Sequence, residues 1–164
     1  MEFITDGMLG KLTRWLRMLG YDVEYFQSLG DRQLIESAKA ENRVLLTRDQ
    51  ELYKQAVKQG INAFLVEGET EAEKLAKLAK QLNLKLEIDV ALSRCPKCNT
   101  KIRPASKNTV AGRVPDGTLS RYEEFWECPN CGQIYWQGAH WKRIDKTLRE
   151  ARHKMESQGS SIIL

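Results

Sequence analysis

Two sets of side chains in this 164-residue chain have the types and spacing to do chemistry. The first is Cys95-Pro-Lys-Cys98 and Cys128-Pro-Asn-Cys131-Gly132, two C-P-x-C knuckles that hold every cysteine of the chain. Four thiolates in two close pairs match a tetrahedral zinc site, and a closed Cys₄ site leaves no position for a substrate, so this zinc is expected to be structural. A redox C-x-x-C centre needs one pair rather than two, and disulfides do not suit a cytoplasmic chain. The second set is Asp6, Asp31 and Asp49, each next to the start of a helical pattern. Asp6 and Asp49 also stand just past apolar runs that read as strands, where α/β sheets place their chemistry. Each has a plainer role open to it, since Asp is a common helix N-cap.

The intervening pattern must bring these residues together. Met1 to Ile4 reads as a short strand, followed by Leu9, Leu12, Leu16 and Leu19 at helical spacing and by Gly20 as a stop. Tyr21 to Phe26 is a second strand, Arg32 to Ala40 a helix led by Asp31, and Arg43 to Thr47 a buried strand. Leu52, Tyr53, Ala56 and Val57 mark the next helix, Ile61 to Val66 a fourth strand, and Thr70 caps a long helix through Leu82. Leu84 to Ile88 reads as a further short strand. Strands alternating with helices predict βαβ units and a parallel sheet. Right-handed crossovers then bring all strand C-termini, and with them the three aspartates, to one edge.

Carboxylates gathered there repel one another, and a hard divalent cation such as Mg²⁺ or Mn²⁺ relieves the repulsion through oxygen ligands. Such a cation activates water and stabilises charge on a phosphodiester. Other chemistries are excluded. The first strand-helix turn lacks G-x-G-x-x-G, no P-loop signature is present, and the only histidines, His140 and His153, lie outside the α/β part, so no Ser/His/Asp triad is legible.

Charge is uneven. Residues 1–93 carry 13 Lys+Arg against 15 Asp+Glu, net −2, and residues 94–164 carry 13 against 7, net +6. The second part is the expected partner of a polyanion, with a solvated basic surface as the alternative. No apolar run approaches a membrane span and the N-terminus lacks the regions of a signal peptide, so the expected location is cytoplasmic, with no membrane partner.

The runs D-G-M-L-G-K-L-T-R-W-L-R-M-L-G-Y-D (6–22), D-R-Q-L-I-E-S-A (31–38) and V-L-L-T-R-D (44–49), with the later cysteine pairs and Gly138-Ala-His140, resemble the PIN-like ribonuclease family named for the C-terminal domain of the mut-seven exonuclease. The resemblance extends to about residue 145 and implies a PIN-type three-layer α/β/α fold and metal-dependent RNA cleavage. It carries the acids onto Asp6, Asp31 and Asp49. PIN nucleases often use a fourth acid just beyond the third; here Gln50 and then Glu51 follow, so Glu51 is a weak candidate for that role, with a first-turn helix acid as its other reading. His140 matches a family position and is assigned either to the nuclease edge or to the ribbon's own structure.

Lys11, Arg14 and Arg17 fall at i, i+3 and i+6 of the first helix, and Arg48 adjoins Asp49. Lys11, Arg14 and Arg48 are candidate substrate-binding groups for phosphates; a solvated helix face, or ion pairs from Arg14 and Arg48 to the carboxylates, is the alternative. Ile102-Arg103 and Tyr122 to Trp126 are read as the strands of a ribbon hairpin, with a loop between them. Most aromatic residues of this part are assigned to a small core, although basic and aromatic groups together also suit single-stranded RNA. A basic helix from Lys142 to about Glu156 turns Ile144, Leu148 and Met155 inward, and Ser157 to Ser161 reads as flexible.

The expected organisation is a PIN-like nuclease domain over 1–92, a Cys₄ zinc ribbon over 93–141 and a basic helix with its tail over 142–164. The expected function is divalent-metal-dependent hydrolysis of RNA. The alternative is a non-catalytic RNA- or ribosome-binding zinc-ribbon protein, and protein partners are left open.

Overall fold

The computed structural model describes residues 1–157; the rest of the segment read as flexible, 158–161, and the apolar terminus, 162–164, lie outside the described residues. Four parallel strands form the main sheet in the order β2-β1-β3-β4. They are β1 (Glu2–Thr5), β2 (Asp22–Tyr25), β3 (Val44–Thr47) and β4 (Ala63–Leu65). Strand β1 pairs on one side with β2, Phe3 opposite Val23, and on the other with β3, Thr5 opposite Leu46. The chain leaves β1 for one neighbour and later takes the other, so the sheet's topological switch point lies between the C-terminal ends of β1 and β3.

Successive strand residues face opposite sides, and the two faces carry separate cores. Phe3 and Leu46 pack with α1 (Gly10–Met18) and α4 (Glu71–Leu82) through Leu12, Leu16, Leu75, Ala76 and Ala79. Ile4 and Leu45 pack with α2 (Asp31–Ala40) and α3 (Gln50–Lys58) through Leu34, Ile35, Ala38, Leu52 and Ala56. The result is a three-layer α/β/α sandwich. Helix α7 (Trp141–Ser157) returns to the first face: Leu148 and Ala151 are buried there, with Ile144 and Met155 packed beside them, as its apolar spacing predicts.

Residues 84–88 form no strand. Leu84 and Leu86 are buried and alternate with exposed neighbours, which is a strand's pattern, but side chains take their backbone groups. The Lys85 N–H donates to the Tyr21 hydroxyl at 2.9 Å, and Arg152 donates to the Leu86 carbonyl at 2.6 Å.

The cysteine module is a three-stranded antiparallel sheet of β5 (Arg103–Ala105), β6 (Phe125–Glu127) and β7 (Ile134–Tyr135). Only two of these strands are predicted from sequence. The segment read as a loop holds two short helices, α5 (Lys107–Val110) and α6 (Asp116–Arg121). Val110 and Val114 bury against Phe125 and Ile134, which gives the module its own small core.

Candidate active site and metal centre

Asp6 follows β1 and Asp49 follows β3, so both reach the C-terminal edge of adjacent strands. Asp6 is nearly buried, 7% exposed. Its Oδ1 accepts the Met8 N–H at 2.8 Å, capping the 3-10 turn Gly7–Leu9, and its Oδ2 accepts the Thr47 hydroxyl. The Thr47 oxygen in turn accepts the Asp49 N–H at 2.9 Å. Thr47 therefore ties the two aspartates together, one through its carboxylate and one through its backbone. Asp49 caps α3: its Oδ1 accepts from Glu51 N at 2.7 Å and Leu52 N at 3.1 Å. Asp31 is exposed and opens α2, which follows β2 at the same edge.

The turn that holds Asp6 is closely packed. A Cβ on Gly7 would sit 2.8 Å from the Gln27 carbonyl oxygen, so the chain tolerates no side chain there without moving its neighbour. The Tyr25 hydroxyl donates to the Gly7 carbonyl at 3.3 Å. Neither contact is legible from spacing. Thr47 was visible only as part of the T-R-D run, with no sign of its bridging bond.

Among the described residues, the three aspartates do not form a group whose ligand atoms all lie within 4.8 Å of one another; only the four cysteines do. Asp6 and Asp49 are thus joined by the fold, Asp31 shares their edge, and the first two serve as caps as well. Glu51 is exposed and bonds Lys54 at 2.9 Å. Lys11, Arg14 and Arg48 are exposed and make no hydrogen bond or ion pair among the described residues, so the alternative of Arg14 or Arg48 tied to the carboxylates is not what the side chains do.

Arg17 has another task. It is 5% exposed, and its guanidinium donates to the Val23 carbonyl at 3.0 and 2.7 Å and to the Pro96 and Lys97 carbonyls at 3.1 and 3.2 Å. One buried cation therefore fastens the first cysteine knuckle to the sheet. Asn99 does the same from the knuckle's side, accepting the Val23 N–H at 3.1 Å and donating to Asp22 at 2.9 Å. Asp22 also holds Arg43 at 2.7 Å and Arg94 at 3.1 Å. Burial acts to raise the Asp22 pKa, but these donors and cations outweigh it and hold the carboxyl below its ordinary value.

The two knuckles have the same backbone. Cys95 N–H donates to Thr100 O at 2.8 Å as Cys128 N–H does to Gln133 O at 2.9 Å, and Asn99 and Gly132 each return a bond of 2.9 Å to the first cysteine's carbonyl. Asn99 and Gly132 occupy the equivalent left-handed position, φ 70° and 73°. Sulfur separations of 3.6 Å (Cys95–Cys131) and 3.3 Å (Cys98–Cys128) are too long for disulfides, and all four thiols are free. They lie near the roughly 3.8 Å edge of a tetrahedron with Zn–S of about 2.3 Å. The Cys131 N–H donates to the Cys128 sulfur at 3.4 Å, and the Tyr135 hydroxyl lies 3.0 Å from the Cys95 sulfur. Burial pushes the Cys128 thiol up to about 12; burial also opposes ionisation of Cys98, but hydrogen bonds from Asn130 and Thr100 outweigh it and bring that thiol down to about 5. The quartet can hold a metal ion such as zinc.

His140 is exposed and lines a cavity with Met18, at the opposite end of α1 from Asp6. No helix among the described residues is long and apolar enough to cross a membrane.

Fold and site define an α/β protein with an acid-bearing sheet edge and an appended module whose four cysteines can hold a metal ion. The family model of the Mut7-C RNAse domain matches residues 1–148, and the chain belongs to that family. Membership brings ribonuclease activity with it as the expected activity class, and RNA as the expected substrate. Neither the curated proteins nor the solved structures gave a match.

Proposed function

We propose that this protein is a PIN-like, divalent-metal-dependent ribonuclease that hydrolyses RNA phosphodiester bonds at the C-terminal edge of its parallel sheet. The observation that carries the reading is the Asp6–Thr47–Asp49 linkage across the switch point between β1 and β3. A structural cap needs no partner from the neighbouring strand, whereas a two-strand bridge fixes where both aspartates stand. Asp6, Asp49 and Asp31 are the oxygen donors for Mg²⁺ or Mn²⁺, which supplies an activated water and charge stabilisation when bound. Each Asp6 oxygen accepts one bond, and Asp49 takes both of its capping bonds on Oδ1, which leaves its Oδ2 free among the described residues, so capping and ligation are compatible. Lys11, Arg14 and Arg48, exposed and without a partner among the described residues, hold the phosphates on either side of the bond that is cut. Zinc in the Cys95, Cys98, Cys128 and Cys131 site is structural and takes no part in the reaction. The protein acts in the cytoplasm.

The decisive assay is cleavage of single-stranded RNA with Mn²⁺ or Mg²⁺, with divalent metal withheld, and with Asp49→Asn. Activity should require the metal and fall by two or more orders of magnitude in the variant. Cleavage by Asp49→Asn at the wild-type rate would overturn the assignment. The second reading, a non-catalytic RNA- or ribosome-binding protein, draws on the aspartates' service as helix caps; a wild-type protein that binds RNA but never cleaves it would establish that reading.

A further inference from the structure

A cavity of about 180 Å³ lies where the end of α1, the cysteine module and the start of α7 meet. Its walls include Met18, Trp126, Tyr135, Trp136, His140 and Trp141. We propose that this cavity receives one unstacked base of a single-stranded RNA, a proposal that rests on the RNA substrate inferred above.

Four observations support a base. Three indoles and a phenol, from β6, β7, the segment after it and α7, form one lining, and all four rings are only partly buried. Phe125 is the aromatic residue that the module fully buries in its core, with Trp136 packed against it from the cavity side. Stacking on such rings is tolerant of sequence because every base has a π-face. The size fits a single heterocycle and falls short of the roughly 300–1,000 Å³ of larger ligand sites. Arg94 also lines the cavity and brings a cation to it, held in place by the Asn99 carbonyl and Asp22. Finally, Lys142 and Arg143 follow Trp141 directly; both are exposed and neither makes an ion pair among the described residues. They stand in the first turn of a 17-residue helix, where the dipole also favours phosphate.

The nine residues of α1 separate this cavity from the aspartate edge by about 14 Å at 1.5 Å per residue. The base held here is therefore remote from the bond that is cut. Its contact lowers KM for longer RNA and leaves kcat unchanged, as binding shared by ground and transition states does.

The test uses the zinc-loaded full chain without added divalent metal and a labelled short uridine oligomer, with an abasic oligomer of equal length as reference. Wild type should prefer the base-bearing strand. Trp141→Leu should weaken that binding roughly 5- to 140-fold, the range expected for one stacked base, and leave abasic binding unchanged; Trp141→Phe should restore most of it. Photocrosslinking of wild type with 5-iodouridine RNA gives a measurement that does not depend on a variant's folding, and adducts should map to Trp126, Trp136 or Trp141. Adducts confined to other residues, or equal binding of both oligomers with no effect of Trp141→Leu, would overturn the proposal while leaving RNA as substrate; the cavity would then suit a protein side chain. A wild type that binds neither oligomer and cleaves no RNA would remove the RNA reading itself, and this proposal with it.

Discussion

The acidic edge and the cysteine module solve the same problem, holding polar side chains in place, by different means. Each cysteine pair is positioned by a turn of a few residues, and the two turns share one hydrogen-bond pattern. Their sulfurs end within 4.8 Å of one another because a thiol has few competing partners. Aspartate is different, since its oxygens readily accept backbone N–H groups. Asp6 and Asp49 arrive at the edge through topology and are then held by capping bonds, with Thr47 fixing their relation. The cysteine site is assembled locally and the acidic site globally. A defect should therefore unfold the first and disable the second.

The largest effect is expected at the cysteines. Metal affinity of structural zinc sites, about 10–16 kcal/mol, is also folding free energy for the module that binds it. Cys128→Ser should lower zinc from one ion per chain to none and abolish the ordered dispersion of residues 103–135 in NMR spectra, with the four-stranded sheet retained. Full zinc content in that variant would sink the assignment. Asp6→Asn and Asp49→Asn should do the reverse. Cleavage should fall by two or more orders of magnitude on loss of metal-assisted activation of water. Stability of Asp49→Asn should change by no more than about 1 kcal/mol, because Asn caps helices about as well as Asp, and Asp6→Asn should lose about 0.5–1.5 kcal/mol more, because it also removes the acceptor of the Thr47 hydroxyl. Thermal melts with the metal absent and present separate the effects: added Mn²⁺ should raise the melting temperature of wild type and not of the variants.

What sequence made legible follows the same division. Periodicity located all four parallel strands and their helices, because each is amphipathic and closed by a recognisable cap or glycine. Cysteine spacing located the quartet, because knuckles are local. Two kinds of feature were out of reach. Residues 84–88 have a strand's alternation but pair with no strand, and only the folded chain shows that Tyr21 takes the Lys85 N–H and Arg152 the Leu86 carbonyl. Arg17 shares a helix stripe with Lys11 and Arg14, yet it is buried against knuckle carbonyls about 80 positions away. Its charge gave no hint of that, since a pattern of bases reads the same on a free face and on a docked one.

The two knuckles allow a finer comparison. Asn99 stands where the second knuckle has Gly132, both with positive φ. Glycine adopts that conformation at no steric cost, so the asparagine must be explained by its side chain, which pairs with Val23 and Asp22 on the edge strand β2. Asn99→Gly should keep the turn and the zinc and lose the dock. Two buried or partly buried hydrogen bonds at about 0.5–1.5 kcal/mol each set the expected loss at roughly 1–3 kcal/mol by urea unfolding. Amide exchange should quicken at Val23, whose N–H loses its acceptor. Unchanged protection at Val23 would show that Arg17 alone makes the attachment.

Asp22 is expected to give the smallest effect and a pH signature. It receives Arg43, Arg94 and Asn99 across the boundary between sheet and knuckle. Its carboxyl is held below its ordinary value of 3.8, despite burial that acts the other way. A depressed carboxylate pKa means that the folded state binds fewer protons than the unfolded one. The stabilisation is then fully present above the unfolded value of about 3.9 and is lost only as pH falls through the lower, folded value. Asp22→Asn should destabilise by about 1–2 kcal/mol, the lower part of the range for bonds to charged groups, because the pair is partly solvated. The difference between wild type and variant should stay constant from pH 8 down to pH 5.5, a window chosen above the acid release of thiolate-bound metal. A gap that already narrows by pH 5.5 would mean that Asp22 is not held low. The cations around it would then owe their positions to Glu41 and the backbone instead.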